Sequence, residues 1–103
     1  MTIDDLRAIL ASTGLPVALH HWDHPPKPPY VVYLDDSTDN FAADNVAYLE
    51  ITHYWVELYD FRRNRAAEKK IEDALTAAGI YWDRDTDYID SERLYQTRYE
   101  IEV

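Results

Sequence analysis

Four of the five prolines fall in one window, Pro25-Pro26-Lys27-Pro28-Pro29, directly before the run Tyr30-Val31-Val32-Tyr33-Leu34. Proline fixes φ and lacks a backbone N–H donor, so the window is extended and cannot lie inside a sheet. The run after it has the composition of a buried strand. The sequence therefore predicts a rigid arm joined to a core strand, which suits docking better than chemistry. The PxxP pattern also fits recognition by an aromatic groove, but a rigid arm is the simpler interpretation.

Length and composition limit the classes of protein that the chain can belong to. Its 103 residues fit one domain, and the absence of cysteine excludes disulfides, thiolate zinc sites and a cysteine nucleophile. No run approaches the roughly 18 apolar residues of a membrane span, and the start lacks the basic residues of a signal peptide. We therefore expect a soluble intracellular protein. The net charge of −10 disfavours general binding to phosphate backbones.

Two segments carry the signals of amphipathic helices. Thr2 and Asp5 form a capping pattern, and apolar residues then recur at helical spacing over about residues 3–13. Asn64 is a candidate N-cap for a second helix, whose stripe of Ala, Ile and Leu ends at Gly79. Small residues in that stripe allow close packing on a sheet.

The remaining segments alternate as strands do. Together with the helices they give the order α-β-β-β-α-β-β, which predicts a single α+β domain over residues 1–103 with a mainly antiparallel sheet and helices on one face. In the longest candidate a change of parity predicts a bulge near Thr52-His53. The expected strands are 17–22, 30–35, 47–59, a short strand with a turn over 80–89, and 93–103.

Two groups of side chains contain residue types that can bind a metal, but the spacing of neither group fits a metal site. His20 and His24 lie four apart, but the following prolines force extended backbone, which separates them by about 13 Å. His21 and Asp23 complete this cluster, which we interpret as exposed polar strand ends. The Asp-x-Asp-x-Asp pattern at 83–87 begins like a calcium loop but lacks the required Gly and the bidentate Glu. We therefore expect no catalytic residue, cofactor or metal, and no enzyme; His53 has no evident partner for acid–base work.

Half of the basic residues lie in nine positions around the second helix: Arg62, Arg63, Arg65, Lys69 and Lys70. Three interpretations remain open, namely a solvated helix face, a contact with an acidic loop of a neighbouring subunit, and a nucleic-acid patch. Positive charge at a helix start opposes the helix dipole, so the stability of the isolated chain does not explain the arginines. We therefore assign Arg62, Arg63 and Arg65 to a partner surface.

The acidic loop that would meet them spans residues 35–46. It is long, turn-rich and charged, so we predict that it is mobile in the free protein and becomes ordered on assembly. Its candidate contact residues are Asp35, Asp36, Asp39 and Asp44, with Phe41 as a lone apolar anchor.

Six short segments, spread over nearly the whole chain, resemble small tail-completion or tail-terminator proteins of long-tailed phages and prophages of Gram-positive bacteria. They are Thr13-Gly14-Leu15-Pro16-Val17-Ala18, Pro28-Pro29-Tyr30-Val31-Val32-Tyr33, Asp39-Asn40-Phe41-Ala42-Ala43-Asp44-Asn45, Val56-Glu57-Leu58-Tyr59, Glu68-Lys69-Lys70-Ile71-Glu72 and Leu94-Tyr95-Gln96.

The resemblance implies a structural role in the virion and supplies no catalytic residue. Proteins of this class join the tail tube to the head connector as a ring, typically a hexamer, after assembly in the host cytoplasm. The implied partners are further copies of the chain, the tail tube protein and the head connector proteins, with DNA only passing through the lumen and no membrane contact. A negative lumen would let DNA slide without sticking. The alternative is a monomeric acidic interaction or inhibitor domain whose acidic face mimics nucleic acid.

Overall fold

The computed structural model describes residues 2–36 and 53–102. In this part of the chain the order of elements is α-β-β-β-α-β-β, as the sequence predicts. The elements are α1 (Ile3–Ala11), β1 (Val17–Leu19), β2 (Tyr30–Asp36), β3 (His53–Asp60), α2 (Arg65–Ala77), β4 (Trp82–Ile89) and β5 (Leu94–Glu102).

The five described strands form one sheet with the spatial order β1-β2-β3-β5-β4. The pairs β2–β3, β3–β5 and β4–β5 are antiparallel, whereas β1 runs parallel to β2. The domain is thus α+β with a mainly antiparallel sheet, which confirms the predicted class. The sequence predicts the short strand β1 but not its parallel pairing with β2.

Both helices begin where their capping residues predict. The Thr2 side chain accepts a hydrogen bond from the Asp5 N–H, and the Asp5 carboxylate accepts one from the Thr2 N–H. This reciprocal bonding holds the pKa of Asp5 below its usual value. At α2, Asn64 accepts a hydrogen bond from the Ala67 N–H at 3.0 Å. After α2 the chain turns at Gly79, whose φ of +75° lies in the left-handed region that favours glycine.

The proline window belongs to the connection between β1 and β2, outside the sheet as predicted, but it is not a free arm. The first strand ends at Leu19, earlier than expected, because His20 takes a positive φ of 66°. Trp22 then folds back onto the sheet: its indole N–H donates to the Val31 carbonyl at 3.2 Å, and its ring meets Tyr30 edge-on. The connection is therefore anchored against β2 by an aromatic side chain.

The core lies between the two helices and one face of the sheet. It brings together Leu6 and Leu10 of α1, Ile71 and Leu75 of α2, and the alternating inward residues of the strands. On β3 the inward residues are those whose shared parity the sequence indicated, with buried Tyr54, Val56 and Leu58. Both helices therefore pack on the same face of the sheet.

Strand β4 differs from its predicted form. An Asp-rich turn was expected to interrupt it, yet all eight residues pair with β5, from Trp82 opposite Ile101 to Ile89 opposite Leu94. The aspartates occupy alternate positions along an edge strand and are exposed. Their carboxylates therefore stay in contact with water when the strand pairs with β5. The expected bulge near Thr52-His53 and the predicted start of the third strand at residue 47 fall largely outside the described residues. No helix among the described residues is long and apolar enough to cross a membrane.

Candidate functional site

The basic cluster of the sequence is positioned by the turn between β3 and α2. Asp60 ends β3 and is buried, and its carboxylate accepts hydrogen bonds from the Phe61 N–H at 2.7 Å and from the Asn64 side chain at 2.9 Å. Asn64 in turn caps α2. This chain of bonds fixes residues 61–64 and therefore the places where Arg62, Arg63 and Arg65 leave the backbone.

The carboxylate of Glu68 lies within ion-pair distance of two of these arginines. Its side chain is only 1% exposed, and it accepts hydrogen bonds from Nε and Nη2 of Arg63 at 3.1 and 3.3 Å. Nε of Arg65 lies 3.7 Å from the same carboxylate. Nη1 of Arg84 on β4 approaches it at 3.6 Å, and the Thr97 hydroxyl at 3.4 Å. A buried carboxylate with this set of donors is charge-compensated.

These contacts correct one step of the sequence argument. Arg63 and Arg65 were assigned to a partner because nothing in the isolated chain explained them. Within the described residues both lie against Glu68, so the isolated chain does account for them. The acidic side chain in the first turn also offsets the unfavourable interaction of the arginines with the helix dipole. Their contribution to an interface remains a prediction.

Arg62 behaves differently from its two neighbours. It is exposed, and its side chain makes no ion pair or hydrogen bond with the described part of the chain. The same holds for Lys70 on the outer side of α2. Phe61, directly before Arg62, is 61% exposed. We call the exposed set Arg62, Arg65, Lys69 and Lys70 the basic surface.

A second polar group ties α2 to the sheet beside Glu68. The carboxylate of Glu72 accepts hydrogen bonds from Nη1 of Arg84 and from the Tyr99 hydroxyl, both at 2.9 Å. The Tyr99 ring is fully buried and meets Trp82 edge-on. Burial and then the bond to Glu72 raise the pKa of Tyr99 above its ordinary value. This group is a structural clamp between a helix and two strands.

Of the acidic residues proposed to meet the arginines, only Asp35 has a described side chain. It lies on β2 opposite Tyr54, and its carboxylate is 3.7 Å from Nε2 of His20. Asp36 pairs with His53 in the strand register, at the end of the sheet away from Asp60. At 3.3 Å per residue, the six-residue step from Tyr54 to Asp60 separates the two ends by about 20 Å. Asp39, Phe41 and Asp44, and most of the loop 35–46, lie outside the described residues.

The structure also shows an acidic surface that the sequence analysis interpreted only as a turn. Arg84 of β4 points to the α2 side of the sheet, where it reaches Glu68 and Glu72. Its neighbours along the strand therefore project to the opposite face, where no described helix packs. They are exposed. Asp83 lies beside Glu100 of β5 in the register. We call the set Asp83, Asp85, Asp87 and Glu100 the acidic surface; its signal in the sequence is the two-residue period of the aspartates.

Aromatic and cationic side chains complete the face opposite the helices. Tyr30 and Tyr59 stack with ring centroids 5.4 Å apart, and Gln96 donates to the Tyr59 hydroxyl at 2.8 Å. The Arg98 guanidinium lies 4.9 Å from the centre of the Trp55 ring, and it is 3.5 Å from Asp85. These side chains on the face opposite the helices therefore already have partners within the chain.

The histidines do not converge with carboxylates into a single centre. Nε2 of His21 lies 3.1 Å from Asp23, and both are largely exposed, while His20 pairs with Asp35 instead. His53 has its Nδ1 3.7 Å from Glu100. Within residues 2–36 and 53–102, no group of three or more His, Asp or Glu side chains has the arrangement of a metal site.

No protein-family model matches the sequence, and no curated protein matches it significantly. The likeness to phage tail proteins therefore rests on the six short segments, and the role that it implies stays a prediction.

Proposed function

We infer that the chain is a structural subunit of a phage or prophage virion, a tail-terminator or head–tail joining component. In this proposal copies of the chain form a ring at the end of the tail tube, and the resemblance implies six of them. The ring closes the tube and then meets the head connector. DNA passes through the lumen without being a bound partner.

The main observation behind the proposal is that the two faces of the sheet differ in covering and in charge. One face of the sheet is covered by both helices and bears the basic surface, while the other has no described helix and bears the acidic surface. A subunit of a ring needs two different surfaces that fit each other, because the contact is repeated from copy to copy. The element order also agrees with the terminator type that the resemblance indicates.

The resembling segments can be compared with the fold wherever the structure describes them. Five of the six fall wholly within the described residues. They include the turn at Gly14, which has a φ of +81°, the start of β2, the centre of β3 and the first part of α2 with Glu68. A likeness at these places concerns residues that shape the fold, which supports a common architecture and leaves the assembly partners to experiment.

The overall charge fits passage of DNA. The chain carries 20 acidic and 10 basic residues, so a channel built from its copies would repel phosphates on average. Attachment to DNA would require a surplus of Lys and Arg on the contact surface.

The experiment is deletion of the gene in the bacterium that carries it, followed by induction of phage production and electron microscopy. We expect DNA-filled heads and separate tails, with joined particles restored by a plasmid copy. The same plasmid with an early stop codon is the control. Joined, infectious particles in the deletion strain contradict the proposal. A chain that stays monomeric and captures a basic cellular protein supports the interaction-domain alternative instead.

A further inference from the structure

We propose that the basic surface of one copy binds the acidic surface of the next copy. The proposal rests on the proposed function in one respect, that copies of the chain assemble with each other. The partner of the basic surface is here the exposed face of β4 and β5, and not the acidic loop 35–46.

The two surfaces lie on opposite sides of one subunit. The basic surface follows the turn after β3 and the outer side of α2, which packs on the core face of the sheet. The acidic surface alternates with Arg84, which reaches toward α2, and so it belongs to the other face. A single copy therefore cannot bring its own two surfaces together. Their charges are opposite, so two copies can join them in a head-to-tail manner.

Each surface includes charged groups that have no ion-pair partner among the described residues. Arg62 and Lys70 have no ion-pair partner among the described residues. Of the three aspartates on β4, only Asp85 has a described cationic partner, Arg98 at 3.5 Å. Complementary exposed charges of this kind steer association and fix its register.

Exposed aromatic rings adjoin both surfaces. Phe61 is 61% exposed beside Arg62, and Tyr81 is 76% exposed beside Asp83, to whose carboxylate its hydroxyl donates at 3.3 Å. Large aromatic residues are enriched in protein interfaces, where they supply the apolar area that charges cannot. Each side of the proposed contact thus offers a ring next to its charges.

The strand edge argues for a head-to-tail contact rather than a symmetric one. β4 is the last strand of the described sheet, so the backbone groups on its outer edge can pair with another β4. Pairing of two such strands would place Asp83, Asp85 and Asp87 close to their counterparts, and like charges across strands are destabilising. A contact between two different surfaces closes a ring or extends a filament.

The absence of cysteine allows a direct test on the full-length protein. Arg62→Cys and Asp85→Cys chains are purified separately, mixed at high concentration and treated with a short bismaleimide. We expect the mixed pair to give several-fold more covalent dimer than either chain alone. Equal yields from one chain alone would indicate a symmetric contact and overturn the proposal, and so would the absence of a cross-link in the mixture.

Charge reversal tests the energetics. We expect Arg62→Glu with Lys70→Glu, or Asp83→Lys with Asp85→Lys, to weaken self-association at least roughly ten-fold, because each reversal places like charges together. Mixing the two doubly substituted chains restores two compatible contacts, one with the native charges and one with the charges exchanged, so association should recover with the two chains alternating. A chain carrying all four substitutions has its charges exchanged and should recover association.

The matched control is Arg7→Glu with Lys27→Glu, which changes the net charge equally at exposed positions of α1 and of the β1–β2 connection, outside the residues of both surfaces. Circular dichroism confirms folding of each chain, and sedimentation measures association. If the control weakens association as much as the Arg62 and Lys70 reversals do, net charge explains the effect and the contact is wrong. The deletion experiment decides the virion role separately, since a real contact between copies survives failure of that role.

Discussion

Glu68 shows at the scale of one residue how charge is placed inside this fold. It is 1% exposed between α2 and the sheet, with Arg63 in two hydrogen bonds and Arg84 3.6 Å away. Replacing it by Ala leaves those cations without their shared carboxylate and opens a cavity. Removal of one partner of a buried pair costs about 3–5 kcal/mol. Since Arg63 is 39% exposed and can turn to water, we expect Glu68→Ala to lower the free energy of unfolding by about 3 kcal/mol in urea.

The control for this prediction is Asp73→Asn on the same helix. Asp73 is 64% exposed and pairs with Lys69, so its loss should change the unfolding free energy by less than about 0.5 kcal/mol. Similar losses for both substitutions would mean that the Glu68 network contributes no more than a surface ion pair.

Tyr99 gives a prediction on pH. The fold raises its pKa above the ordinary 10.0, mainly through burial and then through the bond to Glu72. As pH rises past 10 the unfolded chain therefore loses this proton first, so stability present below pH 10 is lost above it. Tyr99→Phe should cost about 1 kcal/mol at pH 7 through the missing hydrogen bond, and stability should then fall less steeply above pH 10.

Urea unfolding from pH 7 to 11 measures this effect. Burial also raises the pKa of Tyr59, so part of the alkaline loss should remain in the Phe variant. An identical slope above pH 10 in the two proteins would show that Tyr99 does not contribute to it.

At the scale of elements, the two helices depend on their caps to different degrees. The Thr2 side chain accepts a hydrogen bond from the Asp5 N–H in an exposed setting and makes no other described side-chain bond. Asn64 caps α2 and also donates to the buried carboxylate of Asp60. We therefore expect Thr2→Ala to cost about 1 kcal/mol and Asn64→Ala about 2 kcal/mol in urea unfolding.

Asn64→Asp separates the two roles of this residue. It retains an acceptor for the cap but removes the amide donor and brings a second carboxylate toward Asp60. We expect it to remain well below the wild type in stability. Recovery to the wild-type value would show that capping alone explains the effect of Asn64.

At the scale of the whole molecule, net charge opposes the compact state. With 20 acidic and 10 basic residues, the folded chain carries mutual repulsion that dissolved salt screens over about 8–10 Å. We expect the melting temperature of the monomer at pH 7 to rise by a few degrees between low and moderate salt. The Glu68 carboxylate is buried, so salt screens its ion pairs less than pairs between two exposed charges.

Thermal unfolding in NaCl and in KCl measures this response, because general screening affects both salts alike. A melting temperature that falls with salt would mean that attractive surface pairs outweigh the repulsion.

The class of fold, the starts of the helices and the inward faces of the strands are all predictable from the sequence. These follow from local physics: Thr2 and Asn64 satisfy N–H groups within three residues, and the two-residue period assigns Val56 and Leu58 to the core. The clustering of basic residues in the sequence also singles out Arg62, Arg63 and Arg65 as a group.

Which of those charges already have partners depends on contacts between distant parts of the chain. Glu68 contacts Arg84 and Thr97, each more than a dozen residues away in the sequence. No local sequence pattern predicts such a pairing. Likewise, pairing with β5 stabilises β4 as a continuous strand where the sequence predicts an Asp-rich turn. The contact of Trp22 with β2 anchors the connection that contains the prolines. In each case a contact between distant parts of the chain outweighed a local preference, because burial and strand pairing act on the folded arrangement.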